Sequence, residues 1–342
     1  MSAWLESEWQ RLGGGALVFL PLALAYRLVT TVRRALYRAG ILASWRAPVP
    51  VVVVGNVTAG GTGKTPLVVA IVEILSAQGR NPGVVSRGYG RVPPVDGDPR
   101  GVVRVLPGVA TPELFGDEPV LIARRTGVPV YLSPDRPAAV RALLAAHPEV
   151  DVIVSDDGLQ HYALARDVEV CVVDGERLFG NGLPLPSGPM REPVSRLAEV
   201  DAAVVNGGTS DRVSAPRQFA MALGRECFVS LAGEEAEPAA FAQAARGRRV
   251  AAVAGIGNPG RFFSHLERLG VFCDKHPFPD HHLYQASDLR LAGAELVVMT
   301  EKDAVKCLAF ADSRLWFLRV EAILAPEFDA FLRERIATAR AR

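Results

Sequence analysis

The residues with most chemical content form the segment Thr58-Ala59-Gly60-Gly61-Thr62-Gly63-Lys64-Thr65. It follows an apolar run, Val51 to Val54, and precedes a helix-forming stretch that begins at Pro66. Strand, glycine-rich turn and helix in that order make a P-loop. Backbone N–H groups close around phosphate oxygens, Lys64 reaches the β- and γ-phosphates, and Thr65 offers its hydroxyl to Mg²⁺. The usual first glycine is replaced by Thr58. A dinucleotide fold is a poorer match, because no G-x-G-x-x-G with an acidic residue about 20 positions on accompanies this turn. The string GIGNPG at 255–260 has that spacing alone and reads as a tight turn.

A second constellation is VDVIVSDDGLQH, an apolar strand ending in Ser155, Asp156, Asp157, Gly158, Leu159, Gln160 and His161. Carboxylates at the tip of a strand beside a P-loop strand can hold Mg²⁺ directly or through water, although paired aspartates also cap helices. Gln160 and His161 either orient phosphate or metal or are structural. Asp117 and Glu118 precede a predicted helix, where a P-loop kinase needs a proton acceptor and where Asp is also a common cap. In Pro279-Asp280-His281-His282, a carboxylate with a histidine is a reasonable base for a sugar hydroxyl, and surface histidines are equally often inert.

These residues need a scaffold, and its texture is legible. Apolar strands at PGVVS, VPVYLS, VDVIVS, VEVCVVD and VDAAVVN alternate with helical stretches, which predicts an α/β, mostly parallel sheet covered on both faces. After Asn206 a Gly, Ser and Pro-rich stretch leads to RRVAAVAGIGNPGRFFSHLERLG and ELVVMTEKDAVKC, each read as strand, turn and helix. The expected organisation is an N-terminal segment 1–46, a P-loop core domain 47–210, and a second, smaller α/β domain 211–342. At 342 residues, two domains is the prior.

Composition excludes other classes. The chain has 38 Lys plus Arg, 37 Asp plus Glu and 49% hydrophobic residues. That balance argues against a nucleic-acid surface and against disorder. Cys171, Cys227, Cys273 and Cys307 are scattered without a Cys-x-x-Cys pair, so neither a disulfide framework nor a zinc site is indicated. The charge is uneven, however. No acidic residue lies between Glu8 and Glu73, while Arg27, Arg33, Arg34, Arg38 and Arg46 follow the uncharged run Leu12 to Tyr26. That run is shorter than the roughly 20 residues of a span. Its readings are a membrane-associating interfacial helix, a tilted signal-anchor or a buried helix. Trp4, Trp9, Tyr26, Tyr37 and Trp45 favour the first two, with the arginines facing anionic lipid and the rest of the chain in the cytoplasm.

Taken together, VGNVTAGGTGKTP, SRGYG, GDEP, SPDR, SDDGLQH, the REP of Arg191 to Pro193 and FPDHH resemble the tetraacyldisaccharide 4′-kinase family, the lipid A kinases of Gram-negative bacteria. The resemblance covers nearly the whole chain in order and includes Thr58 at the first P-loop position. It implies ATP and Mg²⁺, an acylated disaccharide 1-phosphate acceptor, lipid IVA as product, and a monomeric enzyme at the cytoplasmic face of the inner membrane. It also implies an active site between two α/β domains. There, Asp117 would be the general base and His281 its partner. Asp156, Asp157, Gln160, His161 and Glu192 would join Thr65 at the Mg²⁺ and phosphate site, and Arg87 and Arg136 would contact substrate or phosphates.

The runner-up is a partitioning or metal-insertion ATPase, which shares GGxGKT but carries a lysine where this chain has Ala59. A membrane-tethered nucleotide-binding module without catalysis leaves the acidic and histidine positions unexplained.

Overall fold

The computed structural model describes residues 9, 13–88, 101–106, 111–310 and 312–340. Trp4, and Tyr89 and Gly90 of the SRGYG string, lie outside them. Among the described residues thirteen strands form one sheet. In chain order these are β1 (Val51–Gly55), β2 (Pro82–Ser86), β3 (Val103–Val105), β4 (Val130–Leu132), β5 (Val152–Ser155), β6 (Val168–Asp174), β7 (Ala202–Asn206), β8 (Gln218–Ser230), β9 (Glu235–Ala236), β10 (Val250–Ala254), β11 (Asp274–Pro277), β12 (Leu296–Thr300) and β13 (Leu315–Leu324).

Across the sheet the order is β11-β10-β12-β13-β8-β7-β6-β1-β5-β2-β4-β3, with β9 on β8. Pairing is parallel except where β3 meets β4 and where β8 meets β9 and β13. The continuous apolar runs explain this: every residue of β1, β6, β7 and β10 is buried, as strands covered on both faces must be. Because β1 pairs with β5 in parallel, the P-loop and the Asp156 loop leave neighbouring strands at the same end.

The expected boundary between residues 210 and 211 falls in the connection from β7 to β8, and the sheet continues through it. Residues Gln218 to Met221 of β8 pair with β7, and residues Met221 to Ser230 pair with β13. The helix Glu327–Arg340, expected in the smaller domain, returns to the P-loop half. There Phe328, Phe331, Leu332 and Ile336 share an apolar cluster with Phe219, Met221, Leu67 and Ile71. The reason is topological: β13 runs antiparallel to β8 and delivers the chain end beside the first residues of β8.

At the other end of the chain, helices Gly14–Val18 and Leu20–Arg38 show a divided surface. Leu17, Val18, Leu22, Leu24, Leu28, Val29 and Val32 are exposed, whereas Ala16 and Ala23 are buried. Among the described residues no helix is long and apolar enough to cross a membrane. The aromatic residues taken as signs of a lipid interface have other partners here. Trp9 is buried and donates to the Pro186 carbonyl, Tyr26 donates to the Arg191 carbonyl, and Trp45 bridges to Leu164. Tyr37 packs beside Tyr162. Several arginines are likewise engaged with the protein: Arg34 and Arg38 with Glu199, Arg46 with Asp167, and Arg33 with the Gln160 carbonyl. Arg27 is exposed.

The returning helix supplies a test of this architecture. Phe328 is fully buried and meets Phe219 edge-on at 5.2 Å. Phe328→Ala is expected to cost about 3–5 kcal/mol in a urea melt. A loss of only about 0.5 kcal/mol, typical of surface substitutions, would assign the helix to the periphery.

Candidate active site

The turn after β1 folds as a phosphate cradle. Gly63 caps the helix Lys64–Ala77 with φ of 96°, and a Cβ there would sit 2.7 Å from Asn206 Nδ2. Only glycine meets both conditions. Asn206 donates to the Thr62 carbonyl at 3.2 Å, and Asn56 donates to Thr62 Oγ1 at 3.3 Å. Thr58 bridges to Met190, and the Ala59 N–H donates to the Pro189 carbonyl, so the two residues just before REP brace the loop's first half. Past the brace, Gly60 takes φ of 96°, and nothing lies within 4 Å of a Cβ placed on Gly61. That open face suits an approaching phosphate. Lys64 and Thr65 occupy the first turn of the helix.

The Asp156 loop lies alongside. Lys64 Nζ is 3.7 Å from Asp157 Oδ1, and Arg191 contacts both Asp157 oxygens at 3.0 Å. Burial would raise the Asp157 pKa, but Lys64 and Arg191 bring it below the usual carboxylate range. Asp156 behaves oppositely: burial and the charges of Glu118 and Asp157 raise it. Ser86 donates to Asp156 Oδ2 at 3.0 Å, while buried Asp156 Oδ1 has no hydrogen-bond partner among the described residues. An orphaned carboxylate oxygen beside a P-loop is chemically suited to a hard cation.

The other expected members of the set are placed less directly. Gln160 donates to Glu192 Oε2 and to the Asn56 carbonyl, each at 3.0 Å, and Tyr162 donates to Glu192 Oε1. Both Glu192 oxygens are therefore engaged by side chains. His161 Nε2 accepts from the Arg136 backbone N–H at 3.4 Å, and burial and the neighbouring arginines lower its pKa to about 4. It is a neutral acceptor at physiological pH. Arg87 is exposed just after β2. Arg136, expected to contact substrate or phosphates, is turned inward. It is 2% exposed and donates to the Ser133 and Asp156 carbonyls, each at 2.9 Å. Its guanidinium supports the Asp156 backbone and is not presented to solvent.

The third part spans the sheet. Asp117 is the first residue of the helix Asp117–Thr126, one past the cap position held by Gly116, so it is not the N-cap. Its Oδ2 lies 2.9 Å from His281 Nδ1. Burial pushes the Asp117 pKa up, but the His281 bond, Lys302 and Lys306 outweigh it and bring it down to about 2. The bond to Asp117 raises the His281 pKa. His281 adopts φ of 60° and Asp157 φ of 46°, left-handed conformations that cost non-glycine residues about 1–3 kcal/mol and cluster at functional sites.

Comparison with known proteins bears on this arrangement. The family model described as tetraacyldisaccharide-1-P 4′-kinase (LpxK) matches residues 15–337. The chain belongs to this family. Among similar proteins named tetraacyldisaccharide 4′-kinase, one from Methylobacillus flagellatus is 45% identical over 98% of this chain and 95% of its own length. One from Pseudomonas putida is 50% identical over 92% and 91%. A crystal structure of LpxK from Aquifex aeolicus in complex with ATP is 28% identical with a TM-score of 0.77, covering 94% of this chain and 99% of that one.

This LpxK-family site also contains residues that motif reading did not single out. Arg177, held by Asp174, donates to the Gly61 carbonyl. Lys302 and Lys306, on the helix Glu301–Cys307, face Asp117 at 3.6 and 3.9 Å. In the sequence, Thr300 to Asp303 reads as an ordinary capped helix start. It is one: Thr300 accepts from the Asp303 N–H at 3.1 Å. A lysine pair four apart on such a helix carries no distinguishing signal.

Arg136 provides the test for this part of the site. Arg136→Met removes the donors to two buried carbonyls, and a loss of about 1–3 kcal/mol is expected as a lower thermal midpoint. An unchanged midpoint with a raised KM for the lipid acceptor would instead make Arg136 a substrate contact.

Proposed function

We propose that this family member transfers the γ-phosphoryl group of ATP to the 4′-hydroxyl of a tetraacyl glucosamine disaccharide 1-phosphate, forming lipid IVA in lipid A biosynthesis. The observation that carries the reading is the 2.9 Å contact between Asp117 and His281, residues 164 positions apart that the fold brings together. Phosphoryl transfer asks a protein mainly for positioning and charge stabilisation. Asp117 and His281 orient the acceptor hydroxyl. A bond forms between the 4′-oxygen and the γ-phosphorus as the bond to the β-phosphate bridging oxygen breaks. ADP leaves, and the hydroxyl proton passes to the Asp117–His281 pair. Because Asp117 stays charged far below neutrality, it can accept a hydrogen bond throughout the physiological range.

Lys64 binds the β- and γ-phosphates, and Arg87 stands exposed as a further cation for substrate or phosphate. Mg²⁺, when bound, neutralises charge on the phosphate oxygens. Asp156 and Thr65 would hold it, with Asp157, Gln160 and Glu192 orienting the surrounding shell. Among the described residues no group of three or more His, Cys, Asp or Glu converges, and a Mg²⁺ site completed by phosphates and water does not need one.

The acceptor's acyl chains keep it in a bilayer, so the enzyme must meet a membrane surface, at the cytoplasmic face of the inner membrane where ATP is available. The exposed leucines and valines of the two N-terminal helices supply the apolar face for shallow docking. With Arg34, Arg38 and Arg46 engaged by carboxylates, apolar burial contributes more to that docking than lipid charge.

Labelled ATP supplied with and without the acylated disaccharide tests the activity. Lipid-dependent transfer is expected, whereas hydrolysis that ignores lipid would favour an ATPase. Asp117→Ala should lower kcat by about 10²–10⁴-fold with ATP affinity near wild type, and Lys64→Ala should impair both. Equal turnover by the Asp117 variant sinks the assignment. For docking, the double variant Leu24→Glu, Leu28→Glu should lose co-sedimentation with phosphatidylethanolamine–phosphatidylglycerol vesicles while retaining ATP binding. Undiminished co-sedimentation would place the membrane contact elsewhere.

A further inference from the structure

Lys302 occupies an unfavourable place for a cation, the first turn of the helix Glu301–Cys307, where the helix dipole repels positive charge. Its surroundings account for it. Lys302 Nζ lies 3.5 Å from Glu118 Oε1, 3.6 Å from Asp117 Oδ2 and 3.8 Å from Asp280 Oδ1. It also lies 3.5 Å from His281 Nε2. Asp280 Oδ2 lies 3.8 Å from the same ring nitrogen, and of these two neighbours the nearer ammonium, which has only N–H donors, favours Nε2 as an acceptor. The ring proton then sits on Nδ1 and is donated to Asp117.

We propose that Lys302 is the positioning residue of the Asp117–His281 pair, directing the His281 ring proton at Asp117 and tying the His281 loop to the helix Asp117–Thr126. This inference rests on Asp117 and His281 being the catalytic pair.

The neighbouring charges support an electrostatic role. Asp117 and Glu118 approach from one helix, Asp280 from the loop of His281, and Lys306 and Asp303 from the helix of Lys302. Lys306 pairs with Asp303 at 2.8 Å and is almost fully buried, so it is committed to the core. The adjacent His282 is held by Asp288 at 3.0 Å. Burial works against the charge on Lys302, but Glu118, Asp117 and Asp280 keep its pKa above that of an ordinary lysine. Lys302 is therefore charged wherever the enzyme works. Its charge disfavours protonation of His281, opposing the upward pull of Asp117. Without it, His281 takes up a proton at higher pH.

Lys302→Met and Lys302→Arg test this against wild type, with labelled ATP and the acylated disaccharide in detergent micelles. In Lys302→Met, kcat is expected to fall about 10- to 100-fold with KM for ATP near wild type. The acid limb of the kcat profile should move upward by about one pH unit, because a cation beside the imidazole is gone. Lys302→Arg should bring the limb back toward wild type. Imidazole ¹⁵N shifts of His281 report the tautomer directly and should change from Nδ1–H to a mixture in Lys302→Met. If that variant fails to fold, Lys302→Gln supports the same comparison. A limb and ¹⁵N shifts that stay in place would overturn the role of Lys302. Full turnover by Asp117→Ala would instead overturn the catalytic pair itself, whatever Lys302 does.

Discussion

The antiparallel pairing of β8 with β13 is the constraint on which the rest of the molecule depends. Asp117 is positioned from the P-loop half of the sheet, and His281 and Lys302 from the half built on β10 and β12. Contacts of 2.9 and 3.6 Å between them require the two halves to be held in register. β8 does this by pairing with β7 through its first residues and with β13 through the remainder. The Arg125–Glu301 contact at 3.0 Å adds a largely buried tie between the two helices that carry Asp117 and Lys302. Such a tie holds orientation more than it adds stability, because desolvating both charges offsets much of their attraction.

Asp117 and Asp156 are held in opposite electrostatic environments. Asp117, buried among a histidine and two lysines, stays ionised far below neutrality, whereas Asp156, buried near Glu118 and Asp157, resists ionisation. Like residue types with divergent environments mark divided labour. Asp117 has cations for partners and suits contact with a neutral hydroxyl. Asp156 lacks a partner for one oxygen and suits a cation. Glu118 sits between the two, close enough to Lys302 for an ion pair and near enough to Asp156 to raise it.

Much of this was legible in the sequence, and what was missed has physical causes. β1, β5, β6, β7, β10 and β12 are apolar runs bounded by turn residues, and burial on both faces leaves that pattern little freedom. The P-loop and the Asp156 loop announce themselves because phosphate and cation chemistry demands particular residues at particular spacings. β8 does not, since Gly224, Arg225 and Glu226 interrupt its alternation where Arg225 takes φ of 49° and the ladder with β13 shifts register. Lys302 was hidden by a different cause. Its role comes from four groups that only the fold assembles around it, while its local sequence, capped at Thr300, departs from an ordinary helix start only by one cation in the first turn.

The N-terminal block shows how tertiary pairing redirects a composition signal. An acid-free stretch with arginines and aromatics reads as a membrane-facing element, and the leucines and valines left exposed on the helix Leu20–Arg38 agree with that reading. The carboxylates that meet its arginines lie far along the chain, at Asp167 and Glu199, where no local count reveals them. Tyr26 and Arg33 bind the Arg191 and Gln160 carbonyls, within the segments that supply the expected cation site. The helix whose leucines and valines are left exposed is thus hydrogen-bonded to the backbone at Gln160 and Arg191, which lie between Asp157 and Glu192 in the chain.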